Sequence, residues 1–273
     1  MEVETEIQRE LNPSHPNFKR WQLARDLSND RAKFVESILS NELVLKSLNI
    51  LDFGAGEGNT SRLLSLKNSV VSLEPKPERI KKIQIENSLN PVLADGTYLP
   101  FKPETFDVIV MQDVIEHLTS TTNLISELSK LLKTNGIIYL STPNRFSLLN
   151  IISDPHWGIP FLALFKREQI KKYFLKFFRK DDFLRNDIAE LYSLNDIFNL
   201  FRKNFTLKIH TKHSVNFLLS GGKGLVWSKF HLLLLEVINI VGLSKIIMKL
   251  ANDDFGIINK YFTPTFYFIL RKK

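Results

Sequence analysis

The chain is 273 residues long, which by the rule of ~100–200 residues per domain means one large domain or one carrying insertions. With 44% hydrophobic and 24% charged residues it is not a disordered, collagen-like or coiled-coil chain, and the absence of cysteine excludes disulfides, thiolate zinc sites, iron–sulfur clusters and a cysteine nucleophile. The net charge of +8 is unevenly spread: residues 1–144 hold 16 basic against 19 acidic side chains, whereas 145–273 hold 21 against 10 and 16 of the 21 phenylalanines, so a charged or amphiphilic partner is expected to meet the second part.

In chain order, the N-terminus Met1-Glu-Val-Glu-Thr-Glu6 lacks the basic and apolar blocks of a secretory signal, and a cytoplasmic protein is expected. Residues 1–47 read as a helical lead-in with a helix over 28–40. Between 48 and 144, short aliphatic runs at 48–53, 70–74, 91–94, 106–112 and 137–141 alternate with helical spacing at 60–66, 77–87 and 122–133, the signature of parallel strands joined by crossover helices. A helix over 193–203 and a strand over 205–213 extend this core, and 263–273 supplies a last strand at 265–270. The segments 145–192 and 214–262 interrupt the frame. Both follow strands already in the sheet, so they are expected to cap its carboxyl edge, where open α/β sheets bind ligands. The tract 225–250 is broken by Lys229, His231, Glu236, Asn239, Lys245 and Lys249, short of the ~18 uninterrupted apolar residues of a spanning helix.

The first strand runs into Asp52-Phe-Gly54-Ala55-Gly56-Glu-Gly58-Asn59, a turn whose glycines let backbone pass close to a ligand. Asn59 stands where a dinucleotide fingerprint needs glycine, and a phosphate-binding G-x-x-x-x-G-K-[ST] is absent, so neither a pyrophosphate loop nor a P-loop is indicated. The second strand ends in Glu74-Pro75 and the third in Ala94-Asp95-Gly96. Together these motifs resemble the class I S-adenosylmethionine (SAM)-dependent methyltransferases over about 28–144, 193–213 and 264–271. The resemblance implies a Rossmann-like α/β fold: a seven-stranded, mostly parallel sheet with an antiparallel last strand, carrying helical cap insertions. It implies SAM as cofactor, with Asp52, Gly54, Ala55, Gly56 and Gly58 under its methionine and ribose parts. Glu74 and Pro75 would stand at the ribose, Asp95 and Gly96 at the adenine, and Gln112 and Asp113 at the end of the fourth strand. Two carboxylate oxygens suit two vicinal hydroxyls, each accepting one short charge-assisted bond.

Asp113, Glu116 and His117 are spaced i, i+3 and i+4, so on a helical turn they would share one face. Such a trio suits a divalent ion that acidifies an acceptor hydroxyl. The run is similar to the E-x-x-E-H motif of the ubiquinone-type O-methyltransferases and small-RNA 2′-O-methyltransferases, where it binds a divalent metal such as magnesium. Here Asp113 replaces the first Glu, and His156 of Asp154-Pro-His-Trp-Gly158 is the candidate for a further ligand. The metal-free alternative has His117 or His156 as general base, with Asp113 beside it.

Thr142-Pro-Asn-Arg-Phe146 followed by Asp154-Pro-His-Trp-Gly158 looks like bacterial methyltransferases acting on glycans, glycolipids and secondary metabolites. The expected acceptor is therefore a small-molecule, glycan or lipid-linked hydroxyl. The stretch 161–180 interleaves Phe165, Tyr173, Phe177 and Phe178 with seven basic residues at helical spacing. Its apolar face is expected under the cap, with contact to an anionic membrane at its inner face as the sharper alternative. RNA 2′-O-methylation stays open on the metal-like trio and the basic second part, although the chain shows no RNA-binding module and nucleic acid is not the expected partner. A non-catalytic SAM-binding regulatory protein is the third reading.

Overall fold

The computed structural model describes residues 10–84, 89–96, 98–183, 185 and 188–273. The acidic N-terminal hexapeptide and the last three residues of the helix expected over 77–87 lie outside these. Seven strands form one sheet in the order β3-β2-β1-β4-β5-β7-β6. They are β1 (Asn49–Phe53), β2 (Ser69–Glu74), β3 (Pro91–Leu93), β4 (Phe106–Gln112), β5 (Leu132–Pro143), β6 (Phe205–Ile209) and β7 (Thr265–Lys272). The first five run parallel, and β7 is antiparallel to both of its neighbours, as the family resemblance implied.

The central strands are apolar on both faces because helices cover both. Alternate residues divide cleanly between two cores. Leu51, Phe53, Ile109, Met111, Ile138 and Leu140 pack with the helices Thr122–Leu131 and Leu194–Phe201. Ile50, Val70, Val108, Val110, Ile137 and Tyr139 pack with Phe34, Val35, Ile38 and Leu39 of the helix Ser28–Ser40. The chain works outward from β1 to β3 and then returns to place β4 on the other side of β1. That reversal opens a crevice beyond the carboxyl ends of β1 and β4.

Three boundaries differ from expectation. The fifth strand begins at Leu132 and ends at Pro143, because Leu132 pairs with Phe106 across a register shift and β7 follows β5 down to Pro143. The sixth stops at Ile209, and Thr211–Leu219 is helical. There the Thr211 hydroxyl donates to Asn259 Oδ1 at 2.6 Å, which draws the backbone off the sheet edge. The helix expected over 161–180 starts at Arg167, after a left-handed Phe161 and a short 3₁₀ turn, and Ile170–Leu175 is wound as a π-helix. Ile170 and Leu175 are buried with Trp157, Leu162 and Ile188, while Tyr173, Phe177 and Phe178 remain exposed.

Asn144 closes the exit of β5. Its fully buried amide approaches the carbonyls of Asn259, Lys260 and Thr263 at 3.2, 3.0 and 2.9 Å, and the Asn150 amide donates to the carbonyls of Asn144 and Pro264. The loop leaving β5 is thus bonded to the turn entering β7. Replacing Asn144 by Leu leaves those carbonyls without their donor and is expected to lower stability by about 2–3 kcal/mol, measured by urea unfolding.

Candidate functional site

The turn after β1 is built on positive backbone dihedrals. Gly54 has φ +80° and its carbon would meet Val114 Cγ2 at 2.5 Å if it bore a Cβ, so only glycine lets β1 pass this close to the exit of β4. Gly56 has φ +59° and a Cβ there would meet nothing within 4 Å, so its backbone borders open space. Gly58 caps the helix Asn59–Ser65 in the left-handed conformation. Glu74, almost fully buried at the end of β2, reaches into this turn: Oε2 accepts from the Gly56 N–H at 2.9 Å and Oε1 from the Lys76 N–H at 3.2 Å. Each oxygen keeps a further lone pair. Burial raises the Glu74 carboxyl pKa, with Arg79 opposing it.

The remaining residues expected at the cofactor are spread more widely. Asp52 faces into the protein, accepting from Ser61 Oγ at 2.6 Å, and Ser61 in turn accepts from Ser72 Oγ at 2.7 Å. Its carboxylate ties the turn to the following helix. Ala55 donates its N–H to the Leu73 carbonyl, and Pro75 is exposed. Asp95 is exposed after β3, and Gly96 (φ +83°) lies where a Cβ would strike the Phe53 ring at 2.7 Å. Gln112 Oε1 accepts from Thr60 Oγ1 at 2.9 Å, joining the end of β4 to the helix behind the glycine turn.

Asp113, Glu116 and His117 do not share a helical face. Asp113 is left-handed at φ +55° and Ile115–His117 is a 3₁₀ turn, so the i, i+3, i+4 spacing splits. The Asp113 carboxylate turns to β5 and the N-terminal helices, accepting from Ser141 Oγ at 2.8 Å with Arg31 at 3.6 Å. Glu116 and His117 turn the other way and meet His156. One ligand atom from each of these three lies within 4.8 Å of the others, and the two imidazole rings stand edge to face with centroids 5.2 Å apart. Glu116 is fully buried; Oε2 accepts from Thr142 Oγ1 at 3.0 Å while Oε1 has no partner. Burial, and next the nearby Asp113 carboxylate, push its pKa well above the usual carboxylate range. His156 is set by Asp154, whose Oδ1 accepts from the His156 and Trp157 N–H groups at 2.9 and 2.8 Å.

The histidines line a cleft open to solvent. Its walls include Trp21, Trp157 and Trp227, all three tryptophans of the chain, with Arg20 and Arg31 from the N-terminal helices. A smaller cavity shares Arg31 and Trp227 with this cleft and reaches Gln112, Asp113 and Ser141, so the cleft adjoins the end of β4, where Gln112 is bonded to Thr60 of the helix that follows the glycine turn. Trp21, Trp227 and Arg31 were not expected from the sequence: the only signal was three tryptophans in three segments that the sequence alone does not bring together. Arg31 donates to the Gly224 carbonyl at 3.0 Å and lies over the Trp227 ring at 5.3 Å.

Desolvation raises the Asp52 carboxyl from 3.8 to about 6. Its folded value exceeds the unfolded one, so the associated stability is full below about pH 4 and is lost as pH rises through 6. Asn at position 52 keeps an acceptor for Ser61 without the charge. Denaturation from pH 4 to 7 is therefore expected to favour Asp52→Asn over the parent by up to about 3 kcal/mol at the upper end.

Residues 51–140 match the family model described as a methyltransferase domain. The ubiquinone biosynthesis O-methyltransferase of Pelagibacter ubique is 33% identical over 115 residues, covering 40% of this chain and 47% of that protein. The Schizosaccharomyces pombe mitochondrial enzyme of the same name is 28% identical over 138 residues, covering 46% of this chain and 49% of that one. The chain thus spans about half the length of these curated relatives. Among solved structures, a SAM-dependent methyltransferase of Thermotoga maritima superposes with a TM-score of 0.54 at 16% identity, covering 94% of this chain and 95% of that one. One from Mesorhizobium loti gives 0.54 at 12% identity, covering 86% and 96%. With the sheet order in place, these similarities lead to one conclusion: residues 51–140 match a methyltransferase domain, and the chain has the fold of SAM-dependent methyltransferases.

Proposed function

We propose that this protein transfers a methyl group from SAM to a hydroxyl oxygen of a small acceptor held in the tryptophan-lined cleft. The observation that carries this reading is the meeting of His117 and His156, brought from two distant segments, in the wall of a cleft that adjoins the end of β4. The relatives named as ubiquinone biosynthesis O-methyltransferases support oxygen as the acceptor atom.

The residues fit the cofactor. Open space beside Gly56 leaves room for a ligand against bare backbone, and the free lone pairs of Glu74 suit two ribose hydroxyls. When bound there, SAM supplies a methyl group activated by its sulfonium sulfur. Displacement at that carbon is in line, so alignment of the acceptor oxygen supplies much of the acceleration. The tryptophan rings flank a flat or sugar-like acceptor and keep water away. One imidazole, that of His117 or His156, would accept the proton of the acceptor hydroxyl at a ring nitrogen, leaving the oxygen to take the methyl group.

The same side chains fit a divalent ion. Glu116 Oε1 is buried without a partner, and two imidazoles with one carboxylate form a donor set better matched to a first-row transition ion than to magnesium. Asp113 is not part of that set, since its carboxylate is held by Ser141 and Arg31. An ion held by Glu116, His117 and His156 would lower the pKa of the acceptor hydroxyl. The Arg-bearing rim of the cleft and the Pro-rich loop carrying His156 favour a glycan or lipid-linked acceptor among hydroxylated small molecules.

Three measurements test this reading. Calorimetry is expected to show SAM binding that weakens at least about tenfold in Glu74→Gln, the loss of charge-assisted bonds to the ribose; equal affinity contradicts the assignment. His156→Ala is expected to keep SAM affinity and lose about 10²–10⁴-fold in turnover of labelled SAM with a hydroxylated acceptor. Metal analysis of the purified protein decides how the proton is drawn: about one transition ion per chain, lost in Glu116→Gln, supports the ion, and full activity after chelation contradicts it.

A further inference from the structure

The second insertion carries an apolar surface that the catalytic reading does not use. Its helices Lys229–Ile240 and Ser244–Leu250 meet at a bend of 106°. In the first, the inward side holds buried His231 with half-buried Leu234 and Ile238. The outward stripe is also apolar: Phe230, Leu233, Val237 and Ile240 follow at helical spacing and stand 49, 58, 45 and 84% exposed. A helix on the surface of a water-soluble domain carries polar residues on that side, and one that is apolar all round belongs in a core or a membrane.

The bend sharpens the contrast. Its apex is Ile240-Val-Gly-Leu243, where Gly242 at φ +74° turns the chain and Val241 is 63% exposed. Turns facing water are normally made of polar residues. Ile246 and Leu250 continue the exposed apolar surface into the second helix. Around it the charge is mostly basic, with Lys229, Lys245 and Lys249 against Glu236. The two helices together have the apolar composition of a membrane span, but among the described residues no single helix is long and apolar enough to cross a membrane.

We propose that the bent helix pair 229–250 is an in-plane membrane-docking element, with the Ile240–Leu243 apex and the outward stripe entering the acyl boundary of an anionic leaflet and the lysines at its phosphates. Bent, basic and apolar at its tip, it lies in the interface rather than spanning it. Trp227, a wall of the cleft, precedes this element by two residues, so docking would set the cleft beside the lipid surface. The consequence for the substrate, an acceptor delivered from the bilayer, rests on the methyltransferase reading; the docking itself does not.

Flotation of the full chain with vesicles of phosphatidylcholine containing about 30% phosphatidylglycerol tests the docking without cofactor or acceptor. The parent is expected to float with these vesicles and far less with pure phosphatidylcholine. Leu233→Glu/Ile240→Glu is expected to reduce partitioning at least about tenfold, and Lys245→Glu/Lys249→Glu to erase the preference for anionic lipid, both with unchanged thermal melting. Because the chain has no cysteine, Val241→Cys can carry an environment-sensitive dye, whose emission is expected to shift to the blue on adding vesicles, while a dye at exposed Lys67→Cys is unchanged. A parent that stays with the aqueous fraction, or a Leu233→Glu/Ile240→Glu variant that floats equally well, overturns the proposal. So does a concentration-dependent dimer that this double variant dissolves while vesicle binding is absent, since the surface would then be covered by a second copy. Failure of any methyl-transfer assay leaves these outcomes unchanged.

Discussion

The ion pair between Asp113 and Arg31 is the constraint on which the site depends. Asp113 ends β4 in a left-handed conformation, bonded to Ser141 of the neighbouring strand. Arg31 reaches it from the first helical segment while donating to the Gly224 carbonyl of the second insertion and covering Trp227. Sheet, N-terminal helices and insertion are therefore joined at one charge-paired point, and both cavities share Arg31 and Trp227. With Asp113 turned this way, Glu116 and His117 are left to face His156 rather than a second carboxylate.

The structure holds two different electrostatic environments, one around Glu74 and one around Glu116. On the β1–β2 side, a buried carboxylate is bonded to backbone N–H groups and left with lone pairs toward open space, an arrangement suited to hydroxyl donors. On the β4 side, a buried carboxylate with one unpartnered oxygen sits with two imidazoles, an arrangement suited to a proton or a cation. The two insertions and the N-terminal helices enclose the space against this second cluster. The walls of the cleft thus come from segments outside the sheet.

The sheet was legible because its strands are buried on both faces. The aliphatic run at β4, Val108 to Met111, is buried throughout and has no polar side to confuse the reading, so its bounds at Phe106–Gln112 are legible from the sequence. The start of β5 is hidden by Lys133, Thr134 and Asn135, polar residues that fall in the irregularity between the Phe106–Leu132 and Val108–Ile137 pairs and precede the pairing with β7. Thr211 was read as strand because its capture by Asn259, 48 residues away, has no local sequence signal. In the site, the glycine turn and Glu74 are local spacings and could be read; His156 was reached only through resemblance. The split of Asp113 from Glu116 could not be read, since it turns on one left-handed residue and on Arg31, 82 positions earlier.

The most direct test of the central claim is a crystal structure of this protein with S-adenosylhomocysteine. The expected density places the ribose hydroxyls on Glu74, the chain of the ligand along the Gly54–Gly58 turn, and its sulfur toward the cleft bearing His117 and His156. A nucleoside bound elsewhere, or a sulfur directed away from those histidines, would contradict the assignment of this crevice as the methyl-transfer site.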